Sequence, residues 1–252
     1  MKFTKDKLAV KVFENRKLMG KEAATDVADC IKQMLSEKKE INMVFAAAPS
    51  QNEFLEELVD SGVEWERINA FHMDEYIGLP LDAEQRFGTF LKERIFGRVP
   101  FKSVHYINGQ AQPEKECDRY SLLLKQYPVD IVCLGIGENG HIAFNDPHVA
   151  KFDDPELVKV VALDEKCRMQ QVHDGCFRSI ELVPTQAISL TIPALVAAKY
   201  MFCIVPASTK AQAVYDTIYG EISESCPASI LRTKANAVLY LDSDSAALLE
   251  KR

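Results

Sequence analysis

The sequence predicts an α/β protein made of one Rossmann-like parallel sheet with helices on both faces. Short apolar runs of strand length alternate with stretches of helical periodicity along the 252 residues, and this alternation is typical of parallel sheets covered on both sides. The chain also has no internal repeat, no low-complexity tract and no linker long enough to separate two units. We therefore expect residues 1–252 to form a single domain, which is a common size for an α/β fold.

The first half of the chain predicts four strands and four helices. Apolar runs rich in β-branched and aromatic residues predict strands at 8–13, 41–48, 67–71 and 103–107. Apolar positions at helical spacing predict helices over 19–37, from Pro49 to about residue 60, over 86–96 and over 114–126. Ser50 is the predicted N-cap of the second helix, because Glu53 three residues later completes a capping box.

The second half continues the alternation. Strands are predicted at 129–134, 157–163, 186–191, 200–205 and 238–241, and helices at 208–219 and 243–251. The polar segment 164–176 is predicted to be a helix or a lid. The run that ends at Leu134 is largely apolar and rich in β-branched residues, as expected for a parallel strand buried on both faces.

Composition excludes several classes of protein. A hydrophobic content of 47% with 27% charged residues is incompatible with a disordered chain. The net charge of −7 does not indicate binding to nucleic acid or to an anionic membrane surface. The first residues lack an apolar signal core, and no stretch approaches the roughly 20 apolar residues that span a bilayer. We therefore expect a cytoplasmic protein with neither a membrane nor a nucleic-acid partner.

The cysteines and histidines give no metal-binding pattern. Seven cysteines are scattered along the chain without a Cys-x-x-Cys motif, so neither a zinc site nor a disulfide framework is predicted. The five histidines likewise lack the spacing of a zinc site. We expect reduced cysteines and no metal.

The loop from Gly137 to Pro147 carries the strongest functional signal. It follows the buried strand that ends at Leu134, and ligands of open α/β sheets bind beyond the carboxyl ends of the strands. The loop presents His141, two amide side chains and the carboxylate of Asp146. Asp74 lies just beyond another predicted strand. Acid/base chemistry is therefore expected at this edge of the sheet.

Two ungapped segments resemble a known family. Phe71-His-Met-Asp-Glu-Tyr-Ile-Gly-Leu79 and Gly137-Glu-Asn-Gly-His-Ile-Ala-Phe-Asn-Asp-Pro147 are similar to signatures of the glucosamine-6-phosphate deaminase (isomerase) family. Its wider superfamily includes 6-phosphogluconolactonases, and the run from His141 to Asn145 resembles the amino-sugar branch. The resemblance implies an α/β fold and an aldose–ketose isomerase of amino-sugar metabolism. Such an enzyme converts glucosamine 6-phosphate to fructose 6-phosphate and ammonia, without a cofactor.

The resemblance also implies catalytic roles. Asp74 would be the base that moves a proton between C2 and C1, a task that needs a carboxylate held close to the carbon. His141 would open the sugar ring, since an imidazole suits a proton shuttle near neutral pH. Asp146 stands where the family has Glu and would orient His141. Asn139 occupies a position where some members have Asp, so a carboxylate relay through that position is absent.

Substrate binding is predicted from the same comparison. Glu75, Gly137 and Gly140 belong to the two matching segments and are predicted to border the sugar. The family's glycine-rich phosphate turn is replaced here by Ala46-Ala-Ala-Pro-Ser-Gln-Asn52, so Ser50 and Gln51 are the predicted donors. Lys210 matches a phosphate-binding lysine of the family. Arg168 is either a second phosphate cation or part of a solvated helix face.

Three functions remain open from the sequence. The first is the deaminase acting on glucosamine 6-phosphate or a related amino-sugar phosphate. The second is a lactone hydrolase of the 6-phosphogluconolactonase type. The third is a sugar-phosphate-binding protein that has lost catalytic turnover. The altered phosphate turn is the observation that suggests it. The sequence also leaves open a homo-oligomer.

Overall fold

The computed structural model describes residues 1–249 and contains two sheets. The larger sheet has eight strands in the order β1-β2-β11-β10-β7-β3-β4-β6, and the smaller one has the order β5-β9-β8. The strands are β1 Lys2–Lys5, β2 Leu8–Val12, β3 Ile41–Phe45, β4 Ile68–His72, β5 Asp74–Tyr76, β6 Ser103–His105, β7 Ile131–Leu134, β8 Val158–Ala162, β9 Gln186–Leu190, β10 Tyr200–Val205 and β11 Ala237–Leu241.

Seven α-helices connect these strands within the described residues. They are α1 Arg16–Glu37, α2 Asn52–Val59, α3 Phe87–Leu91, α4 Pro113–Gln126, α5 Glu165–His173, α6 Ile192–Val196 and α7 Ala211–Tyr219. Two apolar clusters cover the two faces of the large sheet: α1 and α2 belong to one, and α4 and α7 to the other. Helices therefore lie on both faces, as the alternating pattern predicted.

The parallel arrangement of the large sheet is confirmed from β2 to β6. Parallel strands need covered faces, and β3, β4 and β7 are buried almost throughout. The prediction of a single parallel sheet was incomplete in two respects. A first strand, β1, pairs antiparallel with β2 through a turn at Asp6. The strands predicted at 157–163 and 186–191 pair antiparallel with each other in the second sheet, where the latter, β9, also pairs antiparallel with β5.

Two local predictions were wrong. Ser50 does not cap a helix, because Pro49–Gln51 form a 3-10 turn before α2. Glu53 binds the guanidinium of Arg16 rather than completing a capping box. The predicted helix at 243–251 is also absent from the described part of that range, where 243–249 form successive turns; the remainder lies outside the described residues.

The close packing of α1 on α2 explains one glycine. A methyl group at Gly20 would lie 2.9 Å from the backbone of Glu53 and Phe54. Replacing Gly20 would therefore push the two helices apart. Within residues 1–249, no helix combines the length and the apolar character needed to cross a bilayer.

Candidate active site

A cleft opens at the carboxyl ends of β3, β7 and β10. Its walls come mainly from the segments 46–50, 135–137 and 206–210, together with Asp74, His141 and the pocket-facing side of α5. It encloses about 760 Å³ of space, part of which is open to solvent. That size suits a small-molecule ligand, and the position is the one expected for a ligand site of an open α/β sheet.

Asp74 lies in the cleft on the short strand β5 and is only 6% exposed. Burial and the neighbouring Glu75 carboxylate raise the pKa of Asp74 well above its ordinary value. His72 supports the backbone at this point, because its Nδ1 lies 2.9 Å from the carbonyl oxygen of Asp74. A carboxylate with a raised pKa is a stronger base when ionised, so Asp74 can take a proton and return it.

His141 also faces the cleft and has two partners at Nδ1. Asn139 Oδ1 lies 2.7 Å away and Asp146 Oδ1 lies 2.9 Å away. Both oxygens accept, so Nδ1 carries the hydrogen and Nε2 is free for exchange with a ligand. Burial alone would raise the pKa of Asp146, but hydrogen bonds from His141 and Asn139 outweigh burial and lower that pKa.

Asn139 connects three side chains around His141. Its Nδ2 donates to Asp146 at 2.9 Å and to Asp164 at 3.1 Å, while its Oδ1 accepts from both the backbone N–H and Nδ1 of His141. The amide therefore holds the His141 ring together with Asp146, the residue that the resemblance predicted to orient it. Asp164 is a site residue that sequence reasoning missed.

The loop around His141 is held by close contacts. A methyl group at Gly137 would lie 2.1 Å from His141 Cε1, so the imidazole packs directly on this glycine. Gly140 has a φ of +83°, a conformation that favours glycine. Farther along the loop, Asn145 donates to the carbonyl oxygens of Ile142 and Leu190, and Phe144 N–H donates to Ser189 Oγ. These bonds tie the loop to β9.

Lys210 supplies positive charge to the same cleft. Its side chain is 4% exposed, and among the described residues its Nζ has no hydrogen-bond partner. Burial lowers the pKa of Lys210, whereas the carboxylates of Asp174 and Glu138 act in the opposite direction. A buried ammonium without a partner is costly, so this geometry calls for an anion.

The structure brings only part of the predicted phosphate turn into the cleft. Ser50 lines it, whereas Gln51 lies behind Ser50 and donates to Ser50 Oγ and to the carbonyl oxygen of Ile204. Arg16, which sequence reasoning missed, reaches the rim from α1. Its guanidinium is held by Glu53 and by the carbonyl oxygen of Pro49.

Besides Gln51, three predicted binding residues lie away from the cleft lining, namely Glu75, Gly140 and Arg168. Glu75 is fully buried and accepts from the backbone N–H groups of Tyr76, Phe87 and Gly88, so it anchors the start of α3. Arg168 on α5 donates to the carbonyl oxygens of Ile180 and Val183, on the side of the helix away from the cleft. The helix instead presents Gln170, Gln171 and Asp174 to the cleft, none of which the sequence singled out.

Two groups of potential metal ligands occur within residues 1–249. They are His141 with Asp146 and Cys167, and Asp146 with His148 and Asp164. In the first, His141 and Asp146 are already bonded to each other and to Asn139, and burial raises the pKa of the Cys167 thiol, so that it stays protonated. In the second, Asp146 and Asp164 both accept hydrogen bonds from Asn139.

Comparisons with known proteins agree with the geometry. A sequence model of the family described as glucosamine-6-phosphate isomerases/6-phosphogluconolactonase matches residues 14–240. A glucosamine-6-phosphate deaminase of Bacillus cereus is 34% identical over 219 residues, which cover 86% of this chain and 82% of that one. A deaminase of the same name from Bacillus thuringiensis is 33% identical over the same shares.

Solved structures show the same fold. A monomeric glucosamine-6-phosphate deaminase of the NagB superfamily superposes with a TM-score of 0.85 at 29% identity, covering 95% of this chain and 99% of that one. The 6-phosphogluconolactonase of Thermotoga maritima superposes with a TM-score of 0.76 at 22% identity, covering 93% and 99% respectively. The second likeness concerns the fold alone.

Proposed function

This chain belongs to the family of glucosamine-6-phosphate isomerases and 6-phosphogluconolactonases, and we propose that it is a glucosamine-6-phosphate deaminase. The observation that carries the proposal is the convergence of three groups in one cleft. Asp74 offers a base, His141 offers a proton shuttle with its Nε2 free, and Lys210 offers an unpartnered cation for a phosphate.

The proposed chemistry begins with ring opening. His141 accepts the proton of the C1 hydroxyl at Nε2 and delivers a proton to the ring oxygen, while Asn139 and Asp146 hold Nδ1–H in place. Asp74 then removes the proton from C2 and returns it to C1 on the same face of the intermediate, while the C1 oxygen gains a proton and the C2 nitrogen loses one. The resulting 2-imine reacts with water, which releases ammonia and leaves the 2-ketose phosphate.

Phosphate binding in this proposal depends mainly on Lys210. Its ammonium is buried in the cleft, and Ser50 and Thr209, which both carry hydroxyl groups, line the same cleft. A phosphate there would gain an unscreened charge partner, which is worth more in a buried site than at the surface. Because Gln51 and Arg168 are engaged with backbone carbonyls outside the cleft lining, they serve the site indirectly in this proposal.

A direct assay separates this function from its alternatives. The protein is incubated with glucosamine 6-phosphate, with other amino-sugar 6-phosphates and with 6-phosphogluconolactone, while ammonia, ketose phosphate and acid are measured. We expect equal amounts of ammonia and fructose 6-phosphate. Acid from the lactone without ammonia would replace the proposal by the lactonase, and binding without any product would replace it by a sugar-phosphate-binding protein.

The same proposal covers location and organisation. We expect a cytoplasmic enzyme that needs no metal or organic cofactor, with residues 1–252 forming one isomerase-like domain. The number of subunits is left open between a homo-oligomer and a monomer, and one structurally similar glucosamine-6-phosphate deaminase is monomeric. Light scattering of the purified protein determines the number of subunits.

A further inference from the structure

We propose that Asp164 is a positioning residue for the ring-opening step, acting on His141 through Asn139; this inference rests on the proposed function. Asp164 lies outside the loop that carries His141, at the start of α5. It shares no sequence motif with His141, and the contacts that join the two become visible only in the fold.

The first step of the argument concerns the orientation of the Asn139 amide. Its Nδ2 lies between the carboxylate oxygens of Asp146 and Asp164, at 2.9 and 3.1 Å. An ionised carboxylate only accepts hydrogen bonds. The NH2 group must therefore face these two oxygens, and the amide oxygen must face the other way, toward His141.

The second step follows from the amide oxygen. Asn139 Oδ1 lies 2.7 Å from His141 Nδ1, and Asp146 Oδ1 lies 2.9 Å from the same nitrogen. Two acceptors at Nδ1 fix the hydrogen there and leave Nε2 for the ligand. Without the Asp164 carboxylate, the amide loses one of its two acceptors, and only Asp146 and the backbone N–H of His141 still oppose its rotation. A rotated amide would present a donor to Nδ1 and would favour the wrong tautomer.

The third step connects this arrangement to the wall of the cleft. Asp164 Oδ1 accepts from Cys167 N–H at 2.6 Å and so caps α5, and Asp164 N–H donates to Asp146 Oδ2 at 3.3 Å. The helix it caps carries Gln170, which lines the cleft and accepts from the backbone N–H of Glu138. One residue therefore joins the start of α5 to the groups that orient His141.

The test must separate positioning from capping. Asp164→Ser retains a good N-cap residue, but its side chain is too short to reach Asn139. Asp164→Asn retains the cap and the length, but it can place a donor against the donor of Asn139. Gln112→Ala is the matched control, because Gln112 caps α4 with a similar bond to Lys115 N–H and lies outside the cleft.

The first measurement needs no turnover. Histidine side chains are labelled with ¹⁵N in the ligand-free protein, and His141 is assigned from the spectrum of His141→Gln. We expect the Nδ1–H tautomer in the wild type and in Gln112→Ala, and a mixture of tautomers in both Asp164 variants. An unchanged tautomer in Asp164→Ser and Asp164→Asn would overturn the proposal and reduce Asp164 to a helix cap.

The second measurement is kinetic. We expect kcat for the cyclic substrate to fall on the order of ten-fold in each Asp164 variant, the effect of losing one hydrogen bond from a charged group. KM should change little, and an open-chain analogue should be affected much less. Equal losses on both substrates would contradict a role in ring opening. If the wild type instead lacks deaminase activity, the proposed function fails, whereas the tautomer measurement still decides the role of Asp164.

Discussion

At the scale of single residues, Lys210 gives the most direct expectation about binding. Its buried ammonium has no partner within residues 1–249, and losing one member of a buried charge pair costs about 2–5 kcal/mol. Lys210→Ala should therefore raise KM steeply for the phosphorylated sugar, while the sugar without phosphate binds equally poorly to both forms. Lys166→Ala is the control, because Lys166 lies on α5 with its side chain exposed to solvent and does not line the cleft. An unchanged KM in Lys210→Ala would place the anion elsewhere.

Asp74 gives the corresponding expectation about chemistry. Asp74→Asn keeps the size of the side chain but cannot accept the C2 proton, so kcat should fall by roughly 10²–10⁴-fold with little change in KM. Exchange of the C2 hydrogen with deuterated solvent should vanish as well. Persistent exchange in the variant would remove Asp74 from the role of base.

The same substitution should not destabilise the fold. Burial raises the pKa of Asp74, which means that the ionised form is disfavoured in the folded state. The neutral amide avoids that penalty, so thermal unfolding at pH 7.5 should occur at the same or a higher temperature than in the wild type. A clear decrease would mean that the Asp74 carboxylate contributes to stability in a way its surroundings do not explain.

Sequence reasoning found the cleft residues that belong to short, contiguous signatures. Asp74, Asn139, His141 and Asp146 lie within two such segments, and the fold brings them together at one edge of the sheet. It did not find Asp164, because the contact with Asn139 joins residues 25 positions apart. Arg168 shows the opposite case: its helix was identified, but the side of the helix that faces the cleft depends on tertiary packing.

At the scale of elements, the loop after β7 depends on Gly137. An added methyl group would lie 2.1–2.4 Å from three atoms of the His141 ring, and the ring would have to move. Gly137→Ala should therefore lower kcat for the cyclic substrate by at least ten-fold, since small displacements of a catalytic group are costly. Gly62→Ala is a useful comparison, because its φ of +66° makes alanine strained there while no atom lies within 4 Å of the added methyl. It should lose stability but keep activity.

The elements themselves were predicted where a pattern spans several turns or a whole buried strand. The 22-residue helix α1 and the fully buried strand β7 are examples. The three-residue strand β5 is too short to leave a pattern, and its pairing with β9 cannot be deduced from either segment alone. The capping box failed for a different reason, since Arg16 on another helix binds Glu53.

At the scale of the whole molecule, the second sheet supports Asp74 and the loop that carries His141. β5 carries Asp74, and β9 anchors the loop that carries His141 through Ser189 and Leu190. Because β5 and β9 pair directly, at Asp74 opposite Ser189, the proposed base and the proposed proton shuttle are supported by one small antiparallel sheet. The large parallel sheet supplies Lys210 from the end of β10. The site therefore depends on the relative position of the two sheets, because each supplies part of it.

The buried side chain of His72 makes the stability of this arrangement depend on pH. It is fully buried between the sheets, with Nδ1 near the carbonyl oxygen of Asp74 and Nε2 accepting from Ile107 N–H. Burial lowers the pKa of His72 from 6.5 to about 4. Between these values the unfolded chain binds a proton that the folded protein does not, so stability falls as the pH decreases from 6.5 to 4.

The expected size of this effect is about 3 kcal/mol at pH 4, from the difference between the two pKa values. Urea unfolding between pH 7.5 and 4 measures it as a slope of the unfolding free energy. His72→Gln should be less stable at pH 7.5, because the paired backbone groups lose good partners, but its slope should be smaller, so that it loses about 3 kcal/mol less than the wild type between pH 7.5 and pH 4. His173→Gln, at an exposed histidine on α5, should keep the wild-type slope. Equal slopes in His72→Gln and the wild type would mean that another group controls the acid sensitivity of the fold.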